Sequence, residues 1–589
     1  MGGREVLLQK LREYSERPDF DMPPQLYAYG AVRYIIELDS DGRFLGLTDT
    51  ANPSSARTKR GIRRLVPQIQ RTVAIKPLLL ADKADYVLGY QTEGRNPSRI
   101  EDAHRAFLDI VDRCKAATAE PAVAAVSAFL HDAPLSSVEV GDSFDAGGII
   151  TFRVDGAFVV DLPKVQAFWA NEHSLKSTGN TPTMQCLVCG NERPVLDRLQ
   201  AKIKGVPGGQ TPGTSIISAN AEAFESYGLE ASLIAPTCSD CGERFTKALN
   251  ELLSGEKSSI RMGGSAFVFW TREPVQFDFF SFMDDPQPDQ VHALLESLRT
   301  GRAAARLDEA RLNRFYATAL SGSGGRAVVR EWIDVAVPEA QESLERWFRR
   351  QAIVDAASGE LRYFSLRSLA GATVCDLRDI SPPTSRSLLR AALAGTPLPL
   401  AMMFAAVRRT RAEQRVTAAQ AALIKLVLAS LPGRTQEEQM VELQPDHPSG
   451  GYQCGRLLAV LESVQRAALP GIKAGIVDRF YGSASSSPGG VFPRLVRGAQ
   501  PHLGKLERDR RAAHSALQQR LEEVLGHLPA FPKVLSLEEQ GLFALGYYHQ
   551  RASDRARARE AAERRRAGAA SAADERDAAL GDALTDDEA

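Results

Sequence analysis

Hydrophobic and polar positions mix two-residue and helical periods as far as about residue 337 and keep to a helical one beyond it. Residues 32–38 and 43–47 alternate around Ser40-Asp41-Gly42, which predicts a β-hairpin, and residues 6–16 before it have the spacing of a short amphipathic helix. Residues 85–90 read as a further strand. Ser98-Arg99-Ile100-Glu101 is a capping box, and Ile100, Ala103, Phe107, Ile110, Val111 and Cys114 follow at helical spacing. A second helix follows Pro121. Asp155-Gly156, the pair favoured in a two-residue hairpin turn, lies between apolar runs at 149–154 and 157–161. Residues 266–271 predict a strand, 291–299 a helix, and 315–320 with 327–335 a hairpin around a Gly-Ser loop. From about Pro338 helical periodicity takes over, with helices expected at 339–354, 385–393, 402–415, 418–431, 455–468, 492–528 (interrupted at Pro501) and 537–566.

The pattern predicts an α+β chain. A mixed α/β N-terminal domain (1–180, continued at 261–337) carries a zinc-ribbon-like insert with a glycine-rich loop (181–260). A helical domain (338–439), a C-terminal helical bundle (440–566) and a disordered tail (567–589) follow, the tail being rich in Ala and Asp with few apolar anchors.

The insert holds the most specific chemistry. Cys186-Leu187-Val188-Cys189-Gly190 and Cys238-Ser239-Asp240-Cys241-Gly242 are two CxxCG knuckles, a pattern that turns both sulfurs of each knuckle toward one ion. The expected ligands of a structural Zn²⁺ are therefore Cys186, Cys189, Cys238 and Cys241. The knuckles would clamp the base of a long excursion containing Lys202, Lys204, Gly208, Gly209, Gln210, Thr211, Ser215 and Asn220. No acidic residue stands between Asp197 and Glu222, so this loop presents donors to a phosphate backbone or a groove edge. It is not a P-loop, because its lysines precede its glycines. A flexible connector and four free thiols are the plain alternatives.

Charge adds a second candidate surface. Net charge is −1, yet between Asp49 and Asp82 there is no acid, while Arg57, Lys59, Arg60, Arg63, Arg64, Arg71 and Lys76 crowd the segment. The first six are expected to contact phosphates; a solvated basic face is the alternative. Cys114, Cys375 and Cys454 are scattered, which suits a reducing compartment, and neither a signal-peptide core nor a membrane-length apolar run is present, so the expected location is the cytoplasm. No GxSxG, HExxH, Walker or GxGxxG motif assembles a nucleophile with a base or cradles a nucleotide. The expectation is recognition and not catalysis.

Several runs carry a resemblance. Arg33-Tyr34-Ile35-Ile36-Glu37-Leu38-Asp39, Asp85-Tyr86-Val87-Leu88-Gly89, Lys202-Ile203-Lys204-Gly205-Val206, Ala223-Phe224-Glu225-Ser226-Tyr227-Gly228 and Val328-Val329-Arg330-Glu331-Trp332 resemble the large subunit of the type I-C CRISPR Cascade complex. So do Asp478-Arg479-Phe480-Tyr481-Gly482, Val491-Phe492-Pro493-Arg494-Leu495 and the run from Gln540 to Gln550, in the same order over about residues 4–552. The resemblance implies a non-catalytic subunit that reads the protospacer-adjacent motif in double-stranded DNA, promotes opening and R-loop formation, and docks a helicase-nuclease. Implied partners are the guide-RNA ribonucleoprotein, the backbone subunits, and a small subunit translated separately from the C-terminal helices, with Met440, Met402 or Met403 as its start. A zinc-binding nucleic-acid protein outside CRISPR and a nuclease with an unrecognised site are the rival readings.

Overall fold

The computed structural model describes residues 2–52, 60–69, 71, 74–91, 94–132, 138, 144–174, 182–199, 201–219, 221–299, 313–434 and 436–585. The chain forms two compact units, residues 1–255 with 320–329 and residues 256–319 with 330–589.

The first unit is built on β1 (Tyr27–Leu38), whose Val32, Tyr34, Ile35, Ile36 and Leu38 are buried. β2 (Phe44–Asp49) pairs antiparallel with its second half and β3 (Ile62–Pro67) with its first, so both share one edge. β5 (Ile149–Val154) pairs parallel with β1 on the other edge, and β4 (Ala81–Lys83) lies antiparallel beside β5. A parallel pair needs a long crossover. The intervening helices Pro97–Thr118 and Pro121–His131 occupy it, placing Phe107, Ile110, Val123 and Phe129 in one core with Ile36, Ile150 and Phe152. The Asp155-Gly156 turn is present, with φ of +46° and +80°, and joins β5 to β6 (Ala157–Phe158).

Residues 84–87 are the short helix Ala84–Val87 and not the expected strand. A short apolar run does not separate a buried helical turn from a strand, and here β4 has already taken the place beside β5.

In the second unit β9 (Ser259–Met262) pairs antiparallel with β10 (Ser265–Thr271), and with β11 (Arg314–Ser323) and β12 (Arg326–Ala336), whose tip at 320–329 belongs to the first unit, they form a sheet in the order β12-β11-β10-β9. Its Ile260, Phe267 and Phe315 share one core with Trp347, Leu388, Ile424, Leu545 and Ala552 of the helices. The boundaries drawn at 338 and 440 both fall inside this unit, and that core crosses them. A further cluster, from Cys454 to Tyr547, fills the C-terminal all-α bundle.

Pro501 does not interrupt its helix. Pro493 and Pro501 lie within Pro488–Asp509, and the break comes at Arg510, where φ is −150°. The buried stripe Phe492, Leu495, Ala499, Leu503 and Leu506 holds the helix across the prolines. The last helix, Leu537–Thr585, runs on where a disordered tail was expected, through a segment whose Ala, Arg and Glu residues favour helix. Among the described residues no helix is long and apolar enough to cross a membrane.

Candidate functional site

The two knuckles meet. The first is the turn between β7 (Thr183–Gln185) and β8 (Glu192–Pro194), closed by Cys186 N–H donating to Asn191 O at 2.9 Å and Gly190 N–H to Cys186 O at 2.8 Å. Gly190 has φ of +74°, a conformation its lack of Cβ allows. The second knuckle is not a hairpin turn of the kind a zinc ribbon requires. Cys238 caps the helix Ser239–Ser254 and Cys241 lies in its first turn. The amphipathic run beyond Cys241, burying Phe245, Ala248, Leu249 and Leu252, favours helix there.

The four Sγ atoms lie within 4.8 Å of one another. A tetrahedral tetrathiolate zinc has Zn–S bonds of about 2.3 Å and hence S–S edges of about 3.8 Å, so the cluster fits this ion with small adjustment. Burial alone would raise the Cys186 thiol, but N–H groups of Cys238, Cys189 and Val188 outweigh it and bring it down to about 7. Burial, and then neighbouring sulfurs, push Cys241 up. The positive end of the helix Ser239–Ser254 adds favourable potential at Cys238 and Cys241. All four sulfurs come from cysteines and close the site, so the ion it suits is structural.

The glycine-rich loop is folded back on itself. Ile203 and Thr214 exchange backbone hydrogen bonds, each 2.8 Å, and Lys202 Nζ donates to Ser215 Oγ at 2.6 Å. Burial holds Lys202 below the ordinary lysine value. The tip of the β11–β12 hairpin lies alongside: Gly322 N–H donates to Pro207 O at 2.6 Å, Ser215 N–H to Gly325 O at 2.8 Å, and Ala327 N–H to Ser215 O at 2.9 Å. A Cβ on Gly322 would stand 2.1 Å from the Gly209 nitrogen, so only glycine permits this approach. Gly209 and the buried Ser215 therefore belong to an internal junction. Lys204, Gly208, Gln210 and Thr211 remain exposed. Asn220 lies outside the described residues.

The basic segment is divided. Arg57 and Lys59 lie outside the described residues, and Arg60 is exposed. Arg63 pairs with Glu251 while its guanidinium sits 4.4 Å over Tyr29. Arg64 pairs with Asp161 and covers Phe158 at 4.0 Å. Arg71 pairs with the buried Asp82 and covers Tyr86 at 4.5 Å. Arg63 and Arg64 are successive residues of β3 and so point to opposite faces. Arg63 and Arg64 have acidic partners far along the chain, which local charge counting does not reveal, while the partner of Arg71 is the acid that closes the basic segment.

Sequence reading missed two contributors. Arg12 on the helix Gly2–Ser15 lies near enough to Cys241 and Cys189 to feel their sulfurs. The hairpin tip 320–329 braces the loop, and its glycine run was the available signal.

A search of curated proteins finds no match. The model of the family described as CRISPR-associated protein (Cas_Csd1) matches residues 8–554, a span that takes in the cysteine cluster, the braced loop and the helical bundle. With that much of its length accounted for, the chain belongs to the Cas_Csd1 family of CRISPR-associated proteins.

Proposed function

We propose that this chain is the non-catalytic large subunit of a type I-C CRISPR Cascade complex, working in the cytoplasm. In that role it reads the protospacer-adjacent motif in duplex DNA, promotes opening and R-loop formation, and docks a helicase-nuclease. The observation that carries the reading is the family match over residues 8–554. The braced loop supports it: exposed Gln210 and Thr211 on a fixed backbone can address groove edges, and Lys204 a phosphate. A structural Zn²⁺ on Cys186, Cys189, Cys238 and Cys241 would hold both ends of that excursion together. Arg57, Lys59 and Arg60 are the first phosphate contacts in this reading. Arg63, Arg64 and Arg71 would have to exchange their carboxylates for DNA.

The partners are the guide-RNA ribonucleoprotein, the backbone subunits, the target duplex, the helicase-nuclease and a separately translated C-terminal product. The test is reconstitution with guide RNA and backbone subunits, followed by binding to duplexes with and without the motif. Gln210→Ala with Thr211→Ala is expected to reduce motif preference by about tenfold while leaving assembly intact. Equal binding by the isolated chain, with no gain from guide RNA, would instead favour a zinc-binding nucleic-acid protein outside CRISPR. Cleavage of DNA by the purified chain with a divalent metal would end the non-catalytic reading.

A further inference from the structure

A cavity of about 610 Å³ opens in the first unit beside the first knuckle. Its walls are mainly aliphatic, with Leu8, Val188, Ile216, Ile217, Ile234 and Val328 gathered from five separate stretches of the chain, and hydroxyls of Ser218, Thr237 and Ser323 among them. Two large hydrophobic side chains of its lining, Phe224 and Leu187, are left 44% and 40% exposed. Arg326 is the cation among its described lining residues. It is half-buried, with its guanidinium 4.1 Å from the centre of the Phe224 ring. Glu222 and Glu225 flank Phe224 in sequence, yet Arg326 forms no ion pair with either, or with any other acid among the described residues. Arg63, Arg64 and Arg71 each have a carboxylate, whereas Arg326 combines partial desolvation with no anion.

We propose that this cavity receives an apolar side chain of a partner polypeptide, with a neighbouring carboxylate of that polypeptide pairing to Arg326. The volume lies in the range of a ligand pocket and suits one or two side chains. The choice of polypeptide over nucleic acid follows from the lining. A strand of nucleotides needs repeated cations and open aromatic faces; here, among the described lining residues, there is one guanidinium, it covers the Phe224 ring, and the rest of the wall is aliphatic apart from the hydroxyls of Ser218, Thr237 and Ser323. A carboxylate beside an apolar group satisfies both the cation and the walls, and a guanidinium takes a carboxylate in a two-pronged pair. The inference does not depend on the DNA-reading role.

The probe is a short fluorescein-labelled peptide carrying Leu-Phe followed by Glu-Glu, titrated into the full chain by fluorescence anisotropy. Its counterparts have Lys-Lys for Glu-Glu, or Ser-Ser for Leu-Phe. Binding of the acidic apolar peptide at least tenfold tighter than either counterpart is expected. Arg326→Leu, which keeps the apolar stem, should remove that preference for acid. Ala235→Phe should fill the cavity and weaken binding of all three, while Glu225→Gln leaves the ranking unchanged. A thermal unfolding midpoint for each variant confirms that it folds; if Ala235→Phe does not, Arg326→Leu decides alone. No binding of the acidic peptide, equal binding of its lysine counterpart, or indifference to Arg326→Leu would overturn the proposal. So would displacement of the peptide by a single-stranded oligonucleotide whose own affinity falls in Ala235→Phe, since that assigns the cavity to nucleic acid.

Discussion

Single residues bear on how the four-cysteine cluster could hold the proposed ion. Arg12 follows Leu8 by one helical turn, its Nε is buried without a partner, and it pairs with Glu16 at 2.9 Å. Burial works against its charge, yet Glu16 and the sulfurs of Cys241 and Cys189 outweigh that and raise its pKa. Four thiolates around a divalent ion would leave two negative charges, one of which a nearby guanidinium offsets. Arg12→Met is therefore expected to leave one zinc per chain by metal analysis but to speed its transfer to a chromogenic chelator by about tenfold. An unchanged rate would make Arg12 a packing residue only. A second buried cation predicts a pH dependence. Lys425 Nζ donates to Ala352 O at 2.7 Å and Arg349 O at 3.3 Å, and burial lowers its pKa to about 7. An unfolded lysine keeps its proton to about 10.4. Between these values the unfolded chain binds more protons, so this group makes stability rise with pH from about 7 to 10 and withdraws that gain as pH falls through 7. The difference between the stability profiles of the native chain and Lys425→Met should show that slope in this window.

Elements act here through the contacts between them. The braced loop depends on two backbones approaching where Gly322 meets Gly209, so Gly322→Ala should destabilise the first unit by about 2 kcal/mol and make the loop more open to protease. A loop that worked as a free connector would not register the change. The basic strand and its flanks predict a contrast. Arg60→Gln, on an exposed position, should flatten the salt dependence of DNA binding by about one unit with no effect on stability. Arg71→Gln should chiefly destabilise, by about 3 kcal/mol, because it strips a buried Asp82 of its partner cation. The knuckles, the β1–β2 hairpin and the Asp155-Gly156 turn were legible because each is encoded by residues close in sequence. The pairings of Arg63 and Arg64 were not, since Glu251 and Asp161 join them only after folding.

At the scale of the molecule, the C-terminal bundle bears on the proposed separately translated product. The cluster from Cys454 to Tyr547 lies wholly beyond Met440, and the helices Gly450–Ala468 and Leu537–Thr585 touch so closely that a Cβ on Gly455 would meet Phe543 O at 2.0 Å. A chain beginning at Met440 should therefore unfold cooperatively by circular dichroism. Met440 itself is buried, and Leu542, Leu545, Tyr548 and Ala552 share a core with Leu423 and Leu426. Without residues 1–439 that apolar face is bare, so the fragment should self-associate in sedimentation and should stop doing so when Leu545→Glu is introduced. A fragment without a cooperative transition would contradict an independent small subunit. The sequence by itself determined the β1–β2 hairpin, the Asp155-Gly156 turn, the cysteine donor set and the all-α character of the C-terminal bundle. These rest on two-residue and helical periods and on knuckle spacing, which neighbours in the chain carry. Only the tertiary structure decided that the β9–β12 sheet shares its core with the helices, that Gly209 and Ser215 serve an internal junction, and that Arg326 lacks an acid among the described residues while Arg64 has one. Those outcomes depend on which distant residues become neighbours, and burial and charge pairing are properties of neighbours in space.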